Sequence, residues 1–236
     1  MVLLLLEKGY PLTHVVFYDS GMEFQAIYNV IEQIQRMCIE KGVAFVYLKA
    51  KTDFLMEMLI RPISSKKNGE HYGYDWCGGV CRWRTGEKIR TINEFLQTLN
   101  DGRIIQYIGI AQDEPQRVRE EKGKVYPLVE WKMTEADCLA YCRKKGIKWL
   151  EDGVDLYDIL DRVSCWCCKN KNLTELRAYY HYLPRYWGYL KGLQSRIDRP
   201  FYCNYTIFEL EERFRREDEE NEKIREYSMF GLLDNN

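Results

Sequence analysis

Leu12-Thr-His-Val-Val-Phe-Tyr18, closed by Asp19-Ser20-Gly21, is the stretch on which the fold reading turns. It is β-branched and aromatic and lies between Pro11 and a glycine turn, so it reads as a buried strand. On its upstream side Met1 to Gly9 reads as the back half of a buried helix, with Gly9 as its stop. That segment has no basic start, only a short apolar run and no small-residue cleavage site, so it does not read as a secretion signal. Downstream, Ile27, Val30, Ile31, Ile34 and Cys38 recur at helical spacing, and Gly42 ends the pattern. Val43 to Leu48 is a second strand, and Thr52-Asp53 caps a helix through Phe54, Leu55, Met58 and Leu59. Helix, strand, helix, strand, helix is the order of βαβ units. The expected class is therefore α/β, with an open, mostly parallel sheet flanked by helices.

Further along, residues 61–80 read as a loop rich in Ser, Lys, Asn and Gly, and Ile89 to Leu99 as a helix. Ile104 to Ala111 is a third strand, and 113–123 is a charged loop containing Pro115. Thr134, with Asp137 three residues on, caps a helix that runs to Lys145 and stops at Gly146. Cys165-Trp-Cys-Cys168 opens another helix, and the charge run from Phe208 to Tyr227 is a solvated one. The tail from Gly231 to Asn236 reads as frayed. Residues 1–185 form the expected α/β domain and 186–236 a helical, charged C-terminal extension.

Composition narrows the class. The 236 residues are 46% hydrophobic, with 18 Tyr and 6 Trp, which excludes a disordered chain. A formal net charge of −1 gives no electrostatic reason to expect nucleic acid as a partner. No stretch reaches the roughly 18 apolar residues that span a bilayer, so the expected compartment is the cytoplasm. Nine Cys in such a chain point to metal or redox chemistry rather than a disulfide framework.

The strongest chemical pattern pairs Cys77-x3-Cys81 with Cys165-x2-Cys168. Two close pairs far apart in sequence are how a fold assembles a tetrathiolate site, each pair clipping one loop to the metal. Soft thiolates select zinc or an iron–sulfur cluster over hard cations. Cys167 is placed to substitute for either member of the second pair. Cys38, Cys138 and Cys142 fit apolar helix positions as core thiols, and Cys203 fits the same reading. Arg82, Arg84 and Lys88, with Lys66 and Lys67 upstream, put guanidinium and ammonium groups beside the first pair. Such a cluster reads either as ordinary surface charge or as a phosphate- or sulfate-binding patch.

Several segments together resemble the phosphoadenosine phosphosulfate reductase family of adenine nucleotide alpha hydrolase-like proteins. Tyr18-Asp-Ser-Gly-Met-Glu-Phe24 resembles the family's D-[ST]-G-x-x-F turn after its second strand. Tyr107-Ile-Gly-Ile-Ala-Gln-Asp-Glu-Pro-Gln-Arg117 resembles its G-x-R-x-x-E-x-x-R segment; Gly109, Glu114 and Arg117 match, and Ala111 stands where an Arg is usual. Tyr126-Pro-Leu-Val-Glu-Trp131, with Thr134 and Asp137, resembles P-L-x-x-W-[ST]-x-x-D and is the most specific match. The two Cys groups fall where the adenylyl-sulfate reductase branch carries its cluster cysteines, although the first group there is a tandem pair. The likeness covers roughly residues 3 to 185.

The resemblance implies an adenine nucleotide or adenylylated sulfur substrate, with Asp19, Ser20, Gly21, Glu23 and Gly109 near the nucleotide. It places Arg82, Arg84, Lys88, Glu114 and Arg117 at the phosphate or sulfate. Cys77, Cys81, Cys165 and Cys168 would hold a [4Fe–4S] cluster or zinc, and a thiol reductant protein would be the partner. Two family features have no counterpart: the S-G-G-K-D-S phosphate loop and the C-terminal E-C-G-[LI]-H motif, which Phe201-Tyr-Cys-Asn-Tyr205 does not match. The family's first strand lies mid-sheet, so the expectation is either an in-frame strand and phosphate loop encoded upstream of Met1 or an unstable or inactive form. A nucleic-acid-modifying relative and a non-catalytic nucleotide- or metal-binding module of the same fold are the alternative readings.

Overall fold

The computed structural model of the chain describes residues 1–65, 69–76, 81–99 and 102–233. Through the first half run α1 (Val2–Glu7), β1 (His14–Asp19), α2 (Gln25–Glu40), β2 (Ala44–Lys49), α3 (Phe54–Leu59), β3 (Pro62–Ser65), β4 (Gly69–Tyr72) and α4 (Arg82–Thr98). Next come β5 (Gln106–Tyr107), a 3-10 turn (Pro115–Arg117), β6 (Lys124–Val125), α5 (Pro127–Glu130), α6 (Glu135–Lys144) and β7 (Leu150–Glu151). The chain continues through β8 (Val154–Asp155), α7 (Leu156–Ile159), α8 (Leu173–Tyr182), α9 (Pro184–Gln194) and α10 (Ile207–Leu233). The class is mixed α/β with small parallel and antiparallel sheets. Among the described residues no helix is long and apolar enough to cross a membrane.

Two compact units divide the chain: residues 1–51 with 82–151, and residues 52–81 with 152–236. The boundary read at residue 185 falls inside α9.

In the first unit β1 and β2 run parallel over six residues, from His14 opposite Ala44 to Asp19 opposite Lys49. α2 joins them and buries Ala26, Val30 and Cys38. Its end is closed by Gly42 at φ +69°, where the Val43 N–H donates back to Cys38 O at 2.9 Å. β5 and β6 form a second parallel pair, Gln106 opposite Lys124 and Tyr107 opposite Val125. The third expected strand, Ile104 to Ala111, is thus shorter than its apolar run. It pairs only at Gln106–Tyr107, and the Ile110 N–H folds back onto Ile108 O at 3.0 Å. α4 begins at Arg82, seven residues before the expected start at Ile89; Gly86 and the charged positions around it hide the helical period in sequence. α6 carries the expected capping box, with Thr134 and Asp137 each accepting from the other's backbone N–H.

In the second unit, residues 61–80 hold an antiparallel hairpin, β3 with β4, where the composition reads as a loop. Its short polar strands offer no apolar alternation to detect. Gly73 follows it at φ +68°, and a Cβ there would lie 2.0 Å from Met58 O, so only glycine fits. α8 starts at Leu173 behind an Asn172–Glu175 capping box, so Cys165–Cys168 precedes the helix instead of opening it. α8, α9 and α10 meet through Tyr180, Trp187 and Phe214, whose ring centroids are 5.7 to 6.0 Å apart. Arg177 donates to Glu217 at 2.7 Å and to Asp218 at 2.9 Å, so the charge run of α10 is docked at its start, where Leu210 and Phe214 are buried. From Glu219 to Ser228 every residue of the helix is exposed. Of the expected frayed tail, residues 234–236 lie outside the described residues.

Candidate functional site

Asp19 ends β1, where an open parallel sheet presents its ligand-binding edge. Its carboxylate accepts from the Gly21 N–H at 2.7 Å, from the Tyr28 hydroxyl at 2.7 Å and from the Tyr47 hydroxyl at 2.8 Å. Burial, and then the adjacent Asp19 carboxylate, push both phenols well above their ordinary range. Gly21 takes φ +77°, which the tight turn requires. Ser20 donates to Glu23 at 2.9 Å and accepts from the Met22 N–H at 3.2 Å. The predicted Asp19, Ser20, Gly21 and Glu23 are therefore one hydrogen-bonded turn. The start of α2 that follows is already occupied by a carboxylate from within the chain: buried Glu151 accepts from the Ala26 N–H at 2.8 Å. Tyr28, Tyr47 and Glu151 were not legible as partners, because nothing local ties residues 28, 47 and 151 to this turn.

Gly109 lies against Met1; a Cβ built on it would be 3.5 Å from the Met1 sulfur, ordinary contact. Glu114 and Arg117 are brought together, though as partners of each other: the guanidinium clasps both carboxylate oxygens across one 3-10 turn. The 126–137 signature packs on this segment. The Tyr126 hydroxyl donates to Arg119 O at 2.7 Å and accepts from Arg119 N–H at 3.0 Å, and Asp113 accepts from Glu135 N–H at 3.1 Å. Trp131 stands edge-on to Tyr10 at 5.4 Å, under the Lys8 ammonium. Lys88 is exposed on α4; the side chains of Arg82 and Arg84, and all of Lys66 and Lys67, lie outside the described residues.

The second unit holds the thiols. Cys168 N–H donates to Cys165 O at 3.0 Å, closing a turn, and the Tyr179 hydroxyl holds Trp166 O at 3.2 Å. Cys167 is buried, and burial drives its thiol well above the usual range; the thiols of Cys165, Cys168 and Cys81 add to the shift. Trp76, just ahead of the first Cys pair, donates to Arg199 O at 2.9 Å and packs edge-on to Phe201 at 4.7 Å. Under the turn lies Lys171, whose side chain is 2% exposed. Its ammonium donates to Arg162 O at 2.7 Å and Ser164 Oγ at 3.1 Å and sits 3.6 Å from Glu175. Burial lowers its pKa, against the pull of Glu175 and Cys168. No sequence pattern singled out Lys171.

The thiol donors are soft, and a buried cation beside Cys168 offsets the cost of gathering negative sulfurs, so the chemistry of the set fits zinc or an iron–sulfur cluster. Among the described residues no three or more His, Cys, Asp or Glu side chains are grouped so that they could hold a metal ion, and Cys77, the fourth predicted ligand, lies outside them. Elsewhere, Cys38 is buried and Cys138 and Cys142 are half-buried, with all three thiols raised by burial. Cys203 is exposed at φ +49° in a turn closed between Tyr202 and Tyr205.

Compared with known proteins, the chain matches no protein-family model, no curated protein and no solved structure.

Proposed function

We propose that this chain is a phosphoadenosine phosphosulfate reductase-like protein that binds an adenylylated sulfur nucleotide and carries a thiolate-held metal centre. The observation that carries the reading is that Cys81, Cys165 and Cys168 belong to one compact unit, with the buried Lys171 three residues beyond Cys168. The two parallel strand pairs of the first unit support an open, mostly parallel sheet of the adenine nucleotide alpha hydrolase kind. In this reading Cys81, Cys165 and Cys168, with Cys77, hold zinc or a [4Fe–4S] cluster. When bound, zinc would tie the two cysteine segments of the second unit together, and a [4Fe–4S] cluster would add one-electron redox chemistry. The Asp19–Glu23 turn and Gly109 receive the nucleoside. Arg117 leaves Glu114 to take the phosphosulfate, joined by Arg82, Arg84 and Lys88. The reaction class is thiol-dependent reduction or transfer of sulfur in the cytoplasm, with a thiol reductant protein as partner.

A second reading, a non-catalytic nucleotide- or metal-binding module, is favoured by one observation. Asp19 and Arg117 are each already engaged by groups of the chain itself. Anaerobic calorimetry with adenosine 5′-phosphosulfate and with AMP separates the two. The proposal expects the phosphosulfate to bind more tightly than AMP and Arg117→Ala to weaken it about tenfold, the worth of ~1.4 kcal/mol. Equal affinity for the two nucleotides, unchanged in Arg117→Ala, would leave the module reading standing.

A further inference from the structure

On the outer side of α9, in the second unit, Arg185, Tyr189, Gly192 and Arg196 recur at steps of four, three and four residues and so share one face. Arg196 lies in the turn that ends the helix, its N–H donating to Leu193 O. All four residues are exposed. Tyr189 keeps 50% of its surface in solvent, yet its ring is braced from behind. Trp166, inside the cysteine turn, stands 5.5 Å from it, and Tyr186 stands edge-on at 5.8 Å. A Cβ on Gly188 or Gly192 would meet nothing within 4 Å, so the helix surface beside the ring is a bare backbone shelf.

The sequence around this face is basic. From Asp161 to Thr206 the chain carries eight Lys and Arg against three Asp and Glu, a net of +5. From Ile207 to Leu233 it carries five against nine, a net of −4. The overall charge of −1 averages over this division. Within the basic segment Lys171 is buried beside Glu175, Arg177 is clamped by α10, and Lys191 pairs with Glu211 at 2.7 Å. On the α9 face Arg185 lies over the Tyr186 ring at 4.9 Å and stands 3.6 Å from Asp152. That pair is partly exposed, so it contributes little and gives way to a stronger acceptor.

We infer that this face binds single-stranded nucleic acid, with one base stacked on Tyr189 and flanking phosphates held by Arg185 and Arg196. The two arginines lie eleven positions apart, about 16 Å along the helix axis, a span of a few nucleotides. Single strands are held without sequence readout by aromatic rings that take a base and cations that track the backbone. The planar guanidinium fork matches phosphate. A duplex offers the ring no open base face, because its bases are stacked on one another. A protein partner fits less well: apart from Pro184, the exposed residues of α9 bring no aliphatic side chain for an apolar interface core. The inference rests on the second unit alone and holds whether or not the chain takes a sulfur nucleotide or a metal.

The test uses the full chain and a short labelled oligothymidine, alone and annealed to oligoadenosine, with binding followed by fluorescence anisotropy across a salt series. The single strand should bind more tightly than the duplex. Tyr189→Ala should weaken single-strand binding about fivefold or more, the smallest effect of losing one stacked base. Tyr189→Phe keeps the ring and should bind within about twofold of the unchanged chain, since stacking uses the π-face and not the hydroxyl. Arg185→Gln and Arg196→Gln should each lower the slope of log affinity against log salt by about 0.7, one phosphate contact apiece. All these positions are exposed, and circular dichroism with the urea midpoint checks that the fold is kept. Failure to bind at low salt, equal binding of the duplex, or an affinity unchanged by Tyr189→Ala overturns the inference. So does poly-glutamate of matched charge binding as tightly with the same dependence on Tyr189, which would make an acidic protein the partner.

Discussion

Removing the Asp19 carboxylate should cost the first unit about 3 kcal/mol, and the loss should be shared with two tyrosines. The Tyr28 and Tyr47 hydroxyls donate to its two oxygens at 2.7 and 2.8 Å. Hydrogen bonds to a charged acceptor contribute ~1.5–3 kcal/mol each. Tyr47 is 39% exposed, so the lower end applies to both, and Asp19→Ala loses about 3 kcal/mol. Asp19→Asn keeps one acceptor oxygen and should lose about half of that. The clean measurement is a double-mutant cycle by urea unfolding, Asp19→Asn with Tyr28→Phe, for which the expected coupling is about 1.5 kcal/mol. Both phenols are held above their ordinary range by burial and by Asp19. Below pH ~10 the folded and unfolded chains hold these protons alike, and stability is flat in this respect. Above it the unfolded tyrosines ionise while Tyr28 and Tyr47 do not, so stability falls as pH rises, by up to ~2.7 kcal/mol per pH unit for two protons. Tyr28→Phe with Tyr47→Phe should remove that component. A coupling under ~0.5 kcal/mol, within ordinary additivity error, would refute the reasoning.

Other outcomes follow from single contacts. Gly73→Ala combines a positive φ with a Cβ 2.0 Å from Met58 O and should cost at least ~3 kcal/mol, read as a lowered urea midpoint or loss of folded protein. Thr134→Ala removes half of a capping box and should cost about 1 kcal/mol in the same assay. Arg117→Ala breaks a half-exposed pair and should change stability by less than ~1 kcal/mol, so its nucleotide-affinity effect is separable from unfolding.

The strand–helix–strand start was legible because β-branched runs and a 3.6-residue period are local signals, and β1, α2 and β2 lie where they place them. The Thr134 cap was legible for the same reason, since both partners lie within one turn. The β3–β4 hairpin was hidden because Ser64, Ser65 and Glu70 carry no apolar alternation, and its register rests on Gly69 and Gly73. At the site, motifs named Asp19, Glu114 and Arg117 but not their engagement. Tyr28 and Tyr47 reach Asp19 across 9 and 28 residues, Tyr28 from the first turn of α2 and Tyr47 through the β1–β2 register. Lys171 was invisible because a lysine in a polar stretch reads as surface until the fold buries it beneath the cysteine turn.

Metal content of the anaerobically purified chain tests the central claim most directly. The account expects near one zinc per chain, or four iron with a brown absorbance near 400 nm, falling to background in Cys168→Ser and in Cys81→Ser. A folded, colourless chain with no bound zinc or iron, and with its cysteines freely titrating as thiols, would contradict it.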